Sequence, residues 1–121
     1  ETRHFLSDNE FAAMKPGAIL VNTGRGPTVD NAALYRALTD GHLAATGLDD
    51  PEEEPAKRAN WDPADNPIFT LPSVLVTPHA AYYSEESIEA ARVTAATQVA
   101  KVLTKQTPDY PVNGKDLALT T

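Results

Sequence analysis

The sequence contains no cysteine among its 121 residues. Disulfides, thiolate nucleophiles and cysteine-ligated metals are thereby excluded, and the absence suits a cytoplasmic protein. No run approaches the roughly 18 apolar residues that a membrane-spanning helix requires, and no signal-peptide pattern opens the chain. Positive charge is scarce. Ten Lys and Arg stand against seventeen Asp and Glu, a net charge of -7, with no basic cluster. Direct nucleic-acid binding is therefore disfavoured. The three histidines, His4, His42 and His79, lie far apart without metal-ligand spacing, so no metal is expected. Internal repeats and low-complexity tracts are missing. So is an initiating Met: the first residue is Glu1, which predicts that further sequence precedes it.

What is present fits an ordinary globular α/β protein. Apolar residues make up 41% and charged residues 22%. The length allows one compact domain and is small for a two-domain enzyme. Ser7-Asp8-Asn9-Glu10 has the form of a capping box opening a short helix through Met14, and Pro16-Gly17 then turns the chain. Ala18-Ile19-Leu20-Val21-Asn22 is apolar at successive positions, which predicts a parallel strand buried on both faces. Gly24-Arg25-Gly26-Pro27 ends it. Asp30 is the expected N-cap of a helix whose Ala33, Leu34, Ala37 and Leu38 share one face, and Gly41 suits the left-handed residue after it. A second strand is expected over 43–48, a long acidic loop over 50–67, and a third strand over 74–77. Ser84 then caps a long helix with Glu85 and Glu86 in its first turn. Its stripe of Ile88, Ala91, Ala95, Val99 and Val102 predicts core packing, and a Pro-containing tail follows from about 107. Alternating helices and strands predict a parallel sheet flanked by helices. The pairing of the second and third strands is the least constrained, since no obvious helix joins them.

Parallel strands deliver their C-terminal ends to one edge of a sheet, where ligands bind in open α/β folds. Arg25, Asp49 and His79 follow the three strands, so they are predicted to converge. Glu54, in the loop after the second strand, is within reach of the same place. An Arg fork holds a carboxylate through paired hydrogen bonds. A His exchanges a proton near neutral pH, and a neighbouring acid orients its ring. Together these groups suit reduction of a 2-oxo acid, with hydride supplied by a cofactor because no side chain can supply it. Each residue also has a plainer reading. Arg25 can be a solvated turn residue, His79 a cap, Asp49 a turn former, and Glu52-Glu53-Glu54 a solvated loop. His42 reads as a surface residue, and His4 has no visible partner.

Three blocks, in order, bear a resemblance to a known family. Residues 14–26, Met-Lys-Pro-Gly-Ala-Ile-Leu-Val-Asn-Thr-Gly-Arg-Gly, closely resemble a signature of the D-isomer-specific 2-hydroxyacid dehydrogenases. Gly47-Leu48-Asp49 with Glu54-Pro55 resembles the family's Leu-Asp-Val-x-x-x-Glu-Pro block, with Asp50 in place of the common Val. Residues 71–81, from Leu71 through Thr77-Pro78-His79-Ala80-Ala81, resemble its catalytic-His block, and Pro111-Val112-Asn113 in the tail also fits. Residues 80–87 look most like the C-terminal-binding-protein-like and phosphoglycerate-dehydrogenase-like branches.

The resemblance implies the second half of a Rossmann-type NAD-binding domain over residues 1–106, with 107–121 returning toward a substrate domain. It implies oxidoreduction of a D-2-hydroxy acid. Arg25 would bind the substrate carboxylate, and Glu54 would pair with the catalytic His79. Thr23, Gly24, Arg25, Asp49, His79 and Ala81 would line the cofactor, Asp49 at the nicotinamide carboxamide. NAD is the family's usual cofactor; NADP stays open, because the discriminating acidic residue would lie upstream. The Gly-x-Gly-x-x-Gly motif that grips the pyrophosphate does not occur in these residues, which predicts no dehydrogenase activity from this chain alone. The expected partners are a small 2-oxo or 2-hydroxy acid and, at full length, a second copy in a homodimer; no membrane is expected. The rival reading is a non-catalytic, corepressor-like or oligomerising binding module on the same fold.

Overall fold

The computed structural model describes residues 2–52, 60 and 62–112. The chain divides into two compact units, Glu1–Ala81 and Tyr82–Thr121.

The first unit holds α1 (Asp8–Ala13), β1 (Ala18–Asn22), α2 (Asn31–Thr39), β2 (Leu43–Leu48) and β3 (Val74–Val76). Local chemistry accounts for the boundaries. Ser7 and Glu10 form the expected capping box at the start of α1, with the Ser7 N–H donating to Glu10 Oε2 at 3.0 Å. Asp30 Oδ1 accepts from the N–H groups of Ala32 and Ala33 at 3.0 and 3.1 Å, which starts α2. Gly41, at φ +80°, ends it. Ser7 Oγ donates to Asp30 Oδ2 at 3.0 Å, so the caps of the two helices are themselves joined.

The strands form one parallel sheet in the order β1-β2-β3. β2 and β3 do pair, through the register Thr46↔Val74 to Leu48↔Val76. Ala18 pairs with Leu43 but Ile19 with Ala45, so Ala44 is an extra residue in β2. That bulge reverses the alternation. Leu43, Thr46 and Leu48 all point to the face that carries Leu20, where a regular strand would turn Leu43 away. α1 and α2 cover this face. Phe11, Val29, Leu34, Leu43 and Ile68 are its largest fully buried side chains. Burying each contributes on the order of 1.5–3 kcal/mol.

Several expectations need correction. β1 is parallel but not buried on both faces: Ile19 and Val21 are 66% and 67% exposed, as is Leu75 on β3 at 67%. The described part of the 50–67 loop is not wholly irregular. It has 3-10 turns at Pro63–Asp65 and Pro67–Thr70, the second carrying Ile68 into the core. His42 is half-buried rather than superficial, and its Nε2 donates to the Met14 carbonyl at 3.1 Å, tying the end of α1 to the start of β2.

The second unit is built on α3 (Glu85–Leu103), capped by Ser84, whose hydroxyl accepts from the Ser87 N–H at 3.1 Å. The expected core stripe is not buried: α3 has no buried residue, and Val99 and Val102 are 58% and 40% exposed. One helix with a short tail has no second layer within its own unit to cover that face. The tail folds back along the helix, where Asp109 meets Lys101 Nζ at 2.5 Å and Gln98 Nε2 at 2.9 Å.

Candidate functional site

The site lies where the three strands of the first unit end. After β1 the chain turns sharply around Asn22, whose Oδ1 accepts from the Gly24 N–H at 3.0 Å and whose Nδ2 donates to the Arg25 carbonyl at 3.2 Å. The same carbonyl accepts from the Thr28 N–H at 3.1 Å and the Thr28 hydroxyl at 2.6 Å. The Arg25 backbone is thus clamped, while its side chain is 71% exposed. Gly26 is buried against the chain that leaves β2. A Cβ there would fall 2.3 Å from the backbone of Pro51 and Glu52 and 2.5 Å from the Asp50 carbonyl. Only glycine permits that approach.

After β2 come Asp49 and Asp50, both buried, at 4% and 7% exposure. Asp49 organises the turn beyond β3. Its Oδ1 accepts from the Thr77 hydroxyl and from the Ala80 N–H at 2.9 Å, and its Oδ2 from the Ala81 N–H at 2.8 Å. The Thr77 hydroxyl, followed by the two backbone donors, holds this carboxyl below the usual carboxylate range against the opposing effect of burial. The Asp49 carbonyl also accepts from the His79 N–H at 2.8 Å. Held in this way, His79 adopts a left-handed backbone at φ +53°, unusual for a residue with a side chain.

The side chains converge. Arg25 Nη1 stands 3.4 Å from His79 Nε2. Asp50 Oδ2 is 3.8 Å from Arg25 Nη1, and Asp50 Oδ1 is 3.8 Å from His79 Nδ1. Thr23, Gly24 and Ala81 lie exposed along the same edge. Of the residues expected from the sequence, Arg25, Asp49 and His79 are thus brought together; Glu54 lies outside the described residues. Asp50, Thr77 and Asn22 were missed. Thr77 and Asn22 act through their side-chain hydrogen bonds, and only their places at strand ends marked them in advance. His4 does have partners: its Nε2 meets Glu52 Oε1 at 2.8 Å, and Arg3 Nη2 meets the same oxygen at 2.6 Å. Glu52 is therefore committed to the N-terminal segment. Among the described residues no group of three or more His, Asp or Glu is arranged to hold a metal, and no helix is long and apolar enough to cross a membrane.

Comparison with known proteins gives this arrangement a context. Residues 1–81 match the family described as D-isomer specific 2-hydroxyacid dehydrogenase, NAD binding domain. The D-3-phosphoglycerate dehydrogenase of Methanocaldococcus jannaschii is 42% identical over 113 residues, 93% of this chain and 20% of that protein. The glyoxylate reductase of Korarchaeum cryptofilum is 45% identical over 87 residues, 72% of this chain and 24% of that protein. Among solved structures, D-lactate dehydrogenase with NAD+ from Lactobacillus jensenii superposes with a TM-score of 0.77 at 31% identity. It covers 93% of this chain and 36% of that one. The chain thus spans about a fifth to a quarter of the curated relatives it matches.

Proposed function

The chain belongs to the D-isomer specific 2-hydroxyacid dehydrogenase family, and we propose that it forms the substrate-facing half of the NAD-binding domain of such an enzyme. In this reading residues 1–106 are the second half of that domain and 107–121 lead toward a substrate domain. The reaction is reversible reduction of a small 2-oxo acid to the D-2-hydroxy acid. The observation that carries it is the 3.4 Å approach of Arg25 Nη1 to His79 Nε2 at the carboxyl edge of a parallel sheet.

Arg25, backbone-clamped and side chain exposed, grips the substrate carboxylate. His79 Nε2 lies beside it and gives a proton to the adjacent carbonyl oxygen during reduction, or takes one from the hydroxyl during oxidation. Such transfer contributes roughly 100- to 10,000-fold in rate. Glu54 pairs with the imidazole. The residues present fit the nicotinamide end of the cofactor. A carboxylate offers about four lone-pair sites; three donors occupy Asp49, and Oδ2, with a single donor, keeps a lone pair for a carboxamide N–H. Thr23, Gly24 and Ala81, exposed at the same edge, are assigned to the same pocket. The bound nicotinamide cofactor supplies or accepts the hydride. NAD is the assignment, and a cytoplasmic homodimer completes the proposal.

The test is made on the full-length gene product that contains this chain. It should oxidise NADH in the presence of glyoxylate, hydroxypyruvate or a related 2-oxo acid. His79→Ala should cut kcat by about 100-fold or more, while Arg25→Ala should chiefly raise KM. Absence of turnover with every 2-oxo acid tried, or unchanged kinetics in both variants, refutes the reading.

A further inference from the structure

Asp50 has no part in the mechanism above, yet its carboxylate stands at the centre of the site. It is 7% exposed. Its two oxygens diverge, Oδ2 toward Arg25 Nη1 and Oδ1 toward His79 Nδ1, each at 3.8 Å. The 3.4 Å contact between Arg25 Nη1 and His79 Nε2 closes the triangle. Burying a carboxylate is expensive, and an apolar residue of similar size in its place is often neutral or stabilising. The family pattern resembled by this segment commonly has such a residue, valine. A charge kept against that penalty, between the two groups assigned to substrate, calls for a chemical reason.

The donor inventory supplies one. A guanidinium has five N–H donors and no acceptor. The ring nitrogen facing it, Nε2, must therefore present its lone pair when the ring is neutral. The proton then sits on Nδ1, the nitrogen facing Asp50, where a negative charge favours it. Arg25 and Asp50 thus both favour that tautomer, from opposite sides of the ring. That tautomer leaves Nε2, on the Arg25 side, able to accept the hydroxyl proton of a bound 2-hydroxy acid. We infer that Asp50 is a positioning residue, placed between Arg25 and His79 so that the guanidinium and the Nε2 face of the ring address one substrate. This inference rests on the dehydrogenase reading of the site and adds to it an acid distinct from Glu54.

Two variants and two readouts test it. Asp50→Asn keeps the volume and removes the charge; Asp50→Val removes both charge and hydrogen-bonding capacity. In the full-length enzyme each should lower kcat for hydroxyacid oxidation by about tenfold or more, with KM changed by less than about threefold. The thermal midpoint of Asp50→Val should be equal to or above that of the wild type. The imidazole 15N shifts of His79 at alkaline pH, recorded on the full-length enzyme, should report Nδ1–H in the wild type and a smaller Nδ1–H fraction in Asp50→Asn. A purely structural Asp50 would instead lower the thermal midpoint and leave the tautomer and kcat of the folded enzyme unchanged, which overturns the inference. If the wild-type enzyme turns over and neither variant loses kcat, the inference fails while the functional reading stands. If the wild-type enzyme is inactive, that reading fails, and an unchanged His79 tautomer in Asp50→Asn would remove Asp50's role as well.

Discussion

Arg25 and His79 are 54 residues apart in the chain and touch at 3.4 Å between Nη1 and Nε2. Neither reaches out alone. Arg25 is delivered by a turn whose carbonyl is held three times over, His79 by a left-handed residue tied to the Asp49 carbonyl. Asp49 and Asp50 lie between them at the end of the middle strand, one carboxylate serving the backbone of the β3 turn and the other facing the two functional side chains. The sheet order β1-β2-β3 makes this possible, since the central strand ends between its neighbours.

Gly26 should tolerate no side chain. Its missing Cβ lies 2.3 Å from the backbone of Pro51 and Glu52, and backbone cannot swing aside. Gly26→Ala should destabilise the protein by about 2 kcal/mol or more, as overpacking against rigid neighbours does. Urea unfolding of the two proteins measures it. A difference under about 0.5 kcal/mol would show that the 24–28 turn and the 50–52 segment separate easily.

Asp49 should make stability depend on acid. Its carboxyl titrates below the usual value in the folded protein, chiefly because the Thr77 hydroxyl donates to it. The unfolded state therefore takes up the proton first as pH falls. The contribution of Asp49 is fully present above its unfolded value, near 4, and is lost as pH drops through the lower folded value. Asp49→Asn should be less stable than the wild type at pH 7, with a difference that shrinks below about pH 4. Parallel acid-unfolding curves for the two proteins would contradict this.

His79→Gly should separate stability from chemistry. A left-handed backbone costs a residue with a Cβ roughly 1–2 kcal/mol, and glycine occupies it without penalty. Since φ is +53° at His79, the glycine variant should melt no lower than the wild type. In the full-length enzyme its turnover should fall by about 100-fold or more. A melting point several degrees lower would mean that the ring contributes more to folding than its backbone strain removes.

Asp30→Ala should cost more than an ordinary surface change. Asp30 caps two N–H groups of α2 and accepts the Ser7 hydroxyl that leads into α1. Loss of an N-cap costs about 0.5–2 kcal/mol, and the Ser7 link places this case at the upper end. Asp30→Asn, which keeps an acceptor, should recover most of the loss in urea titrations. Equal loss in both variants would point to charge rather than capping.

Features that depend on neighbours a few residues away were readable directly from the chain. The Ser7-to-Glu10 box, the Asp30 cap, the left-handed Gly41 and the spans of β1 and β2 follow from hydrogen bonds and dihedral preferences within single turns. Parallel strands then sent Arg25, Asp49 and His79 to one edge, so most of the site was legible too. Tertiary structure decided the rest, because register, burial and long-range pairing depend on what lies across from a residue. The Ala44 bulge turned Leu43 inward. Ile19, Val21 and Leu75 kept one face of the sheet exposed despite their apolar side chains. The stripe on α3, readable as core, found no layer within its own unit. His4 and Glu52 met across 48 residues. Asp50, marked in the sequence only as a departure from the common Val, acquired its place only when the ends of three strands came to lie side by side.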